Sequence, residues 1–464
     1  MKYDIIVLGS GPGGYVAAIR AAQLGKNVAV VEKSEIGGVC LNWGCIPTKA
    51  LLKSAQVYQN MLHAESYGLS LEGEVKADIA KIVERSRNTA SQMSKGVEFL
   101  FKKHKIDLIN GFGVLKADKK IEVADGEGNK EIYEADNFII ATGARAKQLP
   151  NIKIDGQKVI SYREAMTLQK QPESMLVLGS GAIGSEFANF YQNIGTQVSL
   201  VEYMPNIVPL EDEETSKNLA RAFKKMKMKV MTDSAVEAVD TSGDKCIVKV
   251  NTKKGVKEIE VDIVLSAVGV TSNIQNIGLE ELGIEIDKDK IKVDEYYKTN
   301  VDGYYAIGDI VPGQALAHVA SREAIVCVEK MFGHNPDTIN YDNIPACTYT
   351  SPEVASCGLT EKQALDNGHE LRIGKFPFRA SGKAVATGSV DGFVKIVIDK
   401  KTDKILGASM LGANVTEMIE EIVLARNIDI NAKQIISSVH PHPTMSEAVM
   451  EAVAAAYDEA IHIV

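Results

Sequence analysis

The chain has 464 residues, 45% of them hydrophobic and 24% charged, with a formal net charge of −9 and a pI of about 5.6. That length suggests about three domains with ample core material, and the acidic balance argues against nucleic acid or an anionic membrane as the main partner. Six cysteines are too sparse for a disulfide scaffold, and no apolar run reaches the length of a membrane span, so a cytoplasmic protein is expected.

YDIIVLGSGPGGYVAAIRAAQLGKNVAVVEK, residues 3–33, reads as a buried strand, a glycine turn, a helix, a Gly-closed loop and a second strand ending in Glu32. Gly9, Gly11 and Gly14 suit a tight turn, close approach to a pyrophosphate, and close helix–strand packing. The helix N-terminus offers N–H groups and positive dipole to phosphates. The same pattern returns without a gap at residues 174–203, an offset of 170, with Gly179, Gly181, Gly184 and Glu202 in the corresponding places. One such turn is weak evidence; two copies with the acid in register predict two dinucleotide sites. YMPNIVP after Glu202 carries no Lys or Arg, so a 2′-phosphate would meet a carboxylate without a cation, and the second site should prefer NAD over NADP. Glu32 argues the same way for the first site.

GGVCLNWGCIPTK, residues 37–49, follows the first copy. Cys40 and Cys45 could be metal ligands, an inert buried pair or a redox pair. A zinc site wants about four ligands in short spacings, whereas Cys246, Cys327, Cys347 and Cys357 stand far apart, so no metal is expected. The segment is glycine-rich and polar, which fits an inert core pair poorly. Pro47 suits the first turn of a helix, placing Cys45 near an N-terminus that stabilises a thiolate, with Lys49 one turn on. A dinucleotide whose ring exchanges electrons with a disulfide is a flavin, so the first ligand is expected to be FAD.

Residues 71–110 contain a long charged helix with a solvated face. ADNFIIATGA (135–144), with Thr142 and Gly143, and VDIVLSAVGV (261–270), with Gly269, read as strands closing the two nucleotide units. VDGYYAIGDIV (301–311) reads as another strand, ending at Asp309, which could bind a cofactor polyol or simply cap a turn. The helix that follows, starting around Ala315, Leu316 and Ala317, could stabilise negative charge on a bound ring. From about Asn343, short strands alternate with turns, and helices are predicted at Val415–Asn427 and Ser446–Ile461, giving a third, α+β domain. In SVHPHPTMSEAV (438–449), Glu447 lies five residues after His442 and could orient its ring for acid–base work, although a helix cap explains the same residues equally well.

Taken together, GGVCLNWGCIPTK, HPHPTMSE, ATG, GSGAIGSEFA and YAIGD resemble the pyridine nucleotide–disulfide oxidoreductases, from residue 3 to about 455. The resemblance implies an α/β fold: two Rossmann-like dinucleotide-binding domains, for FAD and NAD, and a C-terminal α+β dimerisation domain. The implied boundaries are 1–148, 149–270, 271–342 and 343–464. It implies a homodimer in which His442 and Glu447 of one subunit complete the Cys40–Cys45 disulfide site of the other. Cys40 would be the interchange thiol and Cys45 the flavin-side thiolate. Lys49 and Glu186 would form an ion pair near the flavin; Glu32 and Asp309 would contact its ribose and ribityl chain. The implied reaction is oxidation of dihydrolipoamide carried by an acyltransferase subunit or a glycine-cleavage carrier protein, with NAD reduced. A reductase of another disulfide and a redox-sensing nucleotide-binding protein are the alternatives. No cysteine follows Cys357, and no basic residue stands in YMPNIVP directly after Glu202, which sets the chain apart from mercuric and NADPH-dependent glutathione reductases.

Overall fold

The architecture is that of a computed structural model in which residues 2–463 are described. The chain divides into two compact units. The first joins residues up to Leu51 with Asp78–Lys147 and Gly269–Ile339; the second joins Leu52–Ala77, Gln148–Val268 and the residues from Asn340 onward.

The first unit is built on one sheet. Asp107–Asn110, Val28–Glu32, Lys2–Leu8 and Lys130–Ile140 lie side by side in parallel, and Tyr304–Ala306 pairs in parallel with the end of Lys130–Ile140. Val28–Glu32 is buried along its whole length, as expected of a parallel strand covered on both faces. Lys130–Ile140 starts earlier than its apolar end suggests. Its polar half pairs antiparallel with Lys120–Ala124, and Phe112–Lys116 adds one more strand. The strand expected over 301–311 shrinks to Tyr304–Ala306, because the chain then bends through a 3-10 turn, Gly308–Ile310, with Gly308 at φ 77°.

Helices Pro12–Gln23 and Ala317–Met331 pack against each other. A Cβ on Gly13 would sit 3.1 Å from Ile307 Cδ1 and 3.3 Å from Ala320 O, so the helices approach over a bare backbone. Arg20 adds an ion pair to Glu329 at 2.6 Å. The long charged helix is Ile79–His104, capped by the Asp78 carboxylate, which accepts from Lys81 N. Its buried residues Ile79, Val83, Ser86, Ala90, Val97 and Phe101 recur at helical spacing. One face is therefore solvated and the other is packed.

In the second unit a five-stranded parallel sheet runs Lys229–Met231, Gln197–Val201, Ser174–Leu178, Ile263–Ser266, Val159–Ile160. An antiparallel meander, Ala235–Asp240, Cys246–Thr252 and Gly255–Val261, precedes Ile263–Ser266. The C-terminal region forms its own antiparallel sheet in the order Ala346–Thr348, Glu353–Gly358, Ile405–Gly412, Phe393–Asp399, Leu371–Pro377, packed with Val415–Asn427 and Glu447–Ala455. Lys395, on the fully buried strand Phe393–Asp399, has a side chain only 5% exposed. It donates to both oxygens of Asp212, at 3.2 and 3.1 Å, and pairs with Glu361 at 2.7 Å. Three oxygens from two carboxylates at this distance offset the desolvation of a buried ammonium.

The last helix is shorter than its apolar pattern predicts. It ends at Ala455 instead of Ile461, and the tail turns back at Asp458, φ 59°. Glu451, 4% exposed, accepts from Ile461 N at 3.1 Å and from the His462 ring at 2.7 Å. The tail's polar groups bond to a buried carboxylate in place of a further helical turn. Helix Ala432–Ser437 was not anticipated; its signal is the capping box of Asn431 and Gln434. Among the described residues, no helix is long and apolar enough to cross a membrane.

Candidate active site

The two nucleotide turns are copies down to their hydrogen bonds. Ser10 donates to Glu32 Oε2 from both its N–H (2.8 Å) and its hydroxyl (2.6 Å), and Ser34 N donates to Oε1 at 2.9 Å. Ser180 N and Oγ donate to Glu202 Oε2 at 2.8 and 2.6 Å, and Met204 N donates to Oε1 at 2.9 Å. Each glutamate is buried at the end of its strand. Each carboxylate is thereby fixed in rotamer before any ligand arrives. The serines were not singled out from sequence, although both stand just after the first glycine of their turns, in GSG.

The glycines divide into two kinds. A Cβ on Gly9 would lie 2.4 Å from Ala141 O, and one on Gly14 would lie 1.9 Å from Gly9 O. Gly179 and Gly184 repeat this at 2.5 Å from Ala267 O and 2.0 Å from Gly179 O. These four are demanded by the protein's own packing. Gly11 and Gly181 are different: a Cβ there would meet nothing within 4 Å, and both have ordinary φ, −62° and −61°. Neither helix has an acidic residue in its first turn or a side-chain cap. Each turn thus leaves bare backbone and an uncapped helix N-terminus facing open space, a cradle that fits a pyrophosphate.

Thr142 and Gly143 sit where the chain leaves the first sheet. Thr142 Oγ1 donates to Asn273 O at 2.7 Å, Asn273 Nδ2 donates to Thr142 O at 3.1 Å, and Asn273 N donates to Gly143 O at 2.8 Å. Gly269, φ 104°, accepts from Lys147 N at 3.0 Å. Asp309 lies in the Gly308–Ile310 turn. Ser272 Oγ (2.9 Å) and Lys290 Nζ both donate to its main-chain oxygen. Its carboxyl accepts no hydrogen bond among the described residues, and burial raises its pKa against the pull of Lys290. A half-buried carboxyl that accepts no hydrogen bond suits a polyol hydroxyl. Glu323, 1% exposed, accepts from Gly308 N at 2.6 Å and holds the same turn from the other side; the sequence pattern concealed it inside an apolar helix. Ala317 is the first residue of that helix, which has neither a side-chain cap nor an acid in its first turn.

Cys40 and Cys45 form a disulfide, with Cα atoms 4.7 Å apart. Cys40 lies in the short helix Gly38–Trp43, and Cys45 opens helix Cys45–Leu62, with Lys49 one turn on. The segment is anchored: Asn42 Nδ2 donates to Ile36 O at 2.8 Å and Gly38 O at 3.1 Å, and Thr48 Oγ1 donates to Gly44 O at 2.7 Å. The free thiols are buried or half-buried singletons, and burial raises the pKa of Cys357 to about 11. Among the described residues no cluster could hold a metal ion.

In the second unit His442 Nδ1 lies 2.8 Å from Glu447 Oε1. A carboxylate only accepts, so Nδ1 donates this bond, and in the neutral ring Nε2 is the nitrogen that can accept a proton. His442 is 76% exposed in its side chain. Glu447 Oε2 also accepts from Thr444 N at 2.8 Å. Burial works against the charged form of Glu447, but Thr444 N–H and the His442 ring outweigh it and hold its carboxyl below the usual range. Helix Glu447–Ala455 begins after Ser446, without a side-chain cap. Thr444 is therefore not its cap. Glu186 is buried on helix Ala182–Asn193 and accepts from Tyr349 N at 3.0 Å.

Residues 3–324 match the family model of pyridine nucleotide-disulphide oxidoreductases, and residues 344–453 match that family's dimerisation domain. The chain belongs to this family. Membership implies FAD and NAD, and the dimerisation domain supports a homodimer. The chain is 46% identical over 462 residues to dihydrolipoyl dehydrogenase of Zymomonas mobilis, with 99% of each chain covered. It is 41% identical over 472 residues to the Bacillus subtilis enzyme of that name, again with 99% of each covered. The mitochondrial dihydrolipoyl dehydrogenase of Pisum sativum is 41% identical, covering 99% of this chain and 92% of that one. Among solved structures, LpdA from Mycobacterium tuberculosis superposes with a TM-score of 0.91 at 25% identity, covering 98% of this chain and 99% of the other. Family members of this kind carry a redox-active disulfide, which Cys40–Cys45 fits.

Proposed function

We propose that the protein oxidises protein-bound dihydrolipoamide and reduces NAD, with FAD as its resident cofactor. The observation that carries this reading is the Cys40–Cys45 disulfide, placed a few residues beyond the Glu32 cradle. A thiol of the substrate attacks Cys40, which forms the mixed disulfide, and Cys45 leaves as a thiolate at a helix N-terminus. The second substrate thiol then displaces Cys40, so two electrons stay with the cysteine pair and the substrate departs as a cyclic disulfide. His442 Nε2 takes the substrate's thiol proton, with the imidazolium stabilised by Glu447. We place His442 of the partner subunit beside Cys40, which makes the homodimer the active form.

Gly9, Gly11, Gly14, Glu32, Thr142, Gly143 and Asp309 would hold FAD, with Ala317 at the helix end that favours negative charge on its ring. Gly179, Gly181, Gly184, Glu202 and Gly269 would hold NAD. Lys49 and Glu186 are assigned as an ion pair beside the flavin. Bound FAD supplies the two-electron relay between dithiol and nicotinamide. The macromolecular substrate would be the lipoyl-bearing acyltransferase of a 2-oxoacid dehydrogenase complex or a glycine-cleavage carrier, as the family resemblance implies.

The test is steady-state turnover of the purified flavoprotein with dihydrolipoamide and either NAD or NADP. Rapid NADH formation with NAD alone is expected. Turnover with NADP at a similar kcat/KM would remove Glu202 as the selector. A flavin bleached by NADH in a protein that never oxidises dihydrolipoamide would remove the substrate assignment.

A further inference from the structure

The segment that carries the cysteines is gripped from one side by helix Ile79–His104. Ser86 Oγ donates to Pro47 O at 3.0 Å. Ser94 Oγ lies 2.8 Å from Ile36 O and 2.9 Å from Asn42 Oδ1. Between these two serines, Arg87 reaches the stretch that separates the cysteines. Its Nη1 donates to the main-chain oxygen of Asn42, and its guanidinium lies over the Trp43 ring, 4.2 Å from the centroid.

Asn42 is two residues past Cys40 and three before Cys45. Asn42 O lies at the C-terminal end of the short helix Gly38–Trp43, where a cation is favourable. Trp43 covers one face of the guanidinium, and Arg87 is partly buried. A cation placed this way is screened less than one on an open surface. Trp43 therefore turns toward Arg87 and acts as its platform.

We infer that Arg87, seated on Trp43, is a positioning residue that favours the reduced, thiolate-bearing state of the Cys40–Cys45 pair. Reduction adds two electrons to the S–S bond, and the protons taken up are fewer than two when one sulfur stays a thiolate. A nearby cation stabilises that thiolate state and leaves the neutral disulfide unaffected. For one partly buried charge held on the stretch between the cysteines, at an intermediate dielectric, the effect is on the order of tenfold in the equilibrium, or ~30 mV for a two-electron couple. The inference rests on the pair being the redox centre proposed above.

The test uses the FAD-loaded homodimer and its Arg87→Met, Arg87→Gln and Arg87→Lys variants. Each is equilibrated anaerobically with dihydrolipoamide and lipoamide at fixed ratios, then quenched, and free thiols at Cys40 and Cys45 are counted by mass spectrometry. The pH dependence of alkylation of the reduced protein by iodoacetamide is measured in parallel. Arg87→Met should move the equilibrium about tenfold toward the disulfide and raise the alkylation pKa, with FAD content unchanged. Arg87→Lys should recover most of both shifts. Arg87→Gln keeps a donor for Asn42 O without the charge, and should behave as Arg87→Met does; it also stands in if Arg87→Met folds poorly. Parent-like values for Arg87→Gln, or a shift toward the dithiol, would overturn the inference. A parent protein whose disulfide is reduced by neither dihydrolipoamide nor NADH would instead overturn the function on which it rests.

Discussion

Gly181→Ala separates folding from nucleotide binding. Gly181 has φ −61° and ψ −178°, a conformation open to any residue, and a Cβ there meets no protein atom within 4 Å. The apoprotein should lose only about 0.5–1 kcal/mol, the usual difference between Gly and Ala at a helix N-cap. Bound NAD is another matter. If its pyrophosphate packs against this backbone, the added methyl must displace it, at a cost of about 1–3 kcal/mol, the usual penalty of overpacking. At 1.4 kcal/mol per decade, that is roughly 5- to 150-fold in Kd. Gly184→Ala is the contrast: its Cβ would lie 2.0 Å from Gly179 O, so the turn itself must open and the fold should suffer.

The assay is titration of NADH into Gly181→Ala and parent protein of equal FAD content, with thermal unfolding as the control. Gly11→Ala should show the reverse pattern, losing FAD while a separately folded NAD cradle survives. A Gly181→Ala protein that binds NADH as the parent does would refute the reasoning, because the open space at Gly181 would then not be where the pyrophosphate lies.

Three further outcomes are expected. His442→Gln should slow dihydrolipoamide oxidation by roughly 10²–10⁴-fold while leaving NADH reduction of the flavin intact; stopped-flow traces of the two half-reactions check this, and equal rates would return His442 to the surface. Glu323→Leu should weaken FAD affinity by roughly tenfold or more, since it unmakes a charged hydrogen bond to Gly308 N in a buried site, whereas Glu323→Gln should keep most of it; fluorescence of released FAD measures both. Glu211 gives a pH effect: its Oε2 is enclosed without a partner among the described residues, and burial raises its pKa to about 7 against a hydrogen bond from Ser356, with Asp212 adding repulsion. A folded-state pKa above the unfolded value means stability that is full below about pH 4.5 and lost as pH rises through about 7, ~3 kcal/mol at most. Glu211→Gln should therefore gain stability over the parent at pH 9 and not at pH 5, and identical denaturation midpoints at both pH values would refute this.

Much of the site was legible because its chemistry is local in sequence. Each cradle, its glycines and its acid fall within about 30 residues, and Cys40–Cys45 and His442–Glu447 are five residues apart. What escaped is what needs a partner brought in from far along the chain. Ser86, Arg87 and Ser94 belong to a helix whose charged pattern announces only a solvated face. Glu323 hides in an apolar helical run and becomes intelligible once Gly308 is beside it. The short final helix escaped for a similar reason. Apolar periodicity favours helix through Ile461, but Glu451 holds the tail's N–H groups and the ring of His462, and that carboxylate supplies the partners that a further helical turn would have supplied.

The near-identity of the two cradles bears on how one chain handles two nucleotides. Serine, glutamate and three glycines repeat with hydrogen-bond lengths that agree to 0.1 Å. Groups so alike would recognise what FAD and NAD share, a pyrophosphate and a ribose, and could not tell flavin from nicotinamide. The choice must come from what each cradle is joined to. After Glu32 the chain runs directly into the helix of Cys40 and then that of Cys45, and the Asp309 turn would supply a half-buried carboxyl to bond a polyol that only the flavin nucleotide has. After Glu202 it runs into the exposed Tyr203 and Met204 and on to helix Glu213–Lys225, with no thiol close in sequence; the enclosed acid on that stretch, Glu211, is engaged by Ser356. Asp309→Leu should therefore loosen FAD and leave NADH binding unchanged. An Asp309→Leu protein that keeps FAD at parental affinity would place flavin selection back in the cradle.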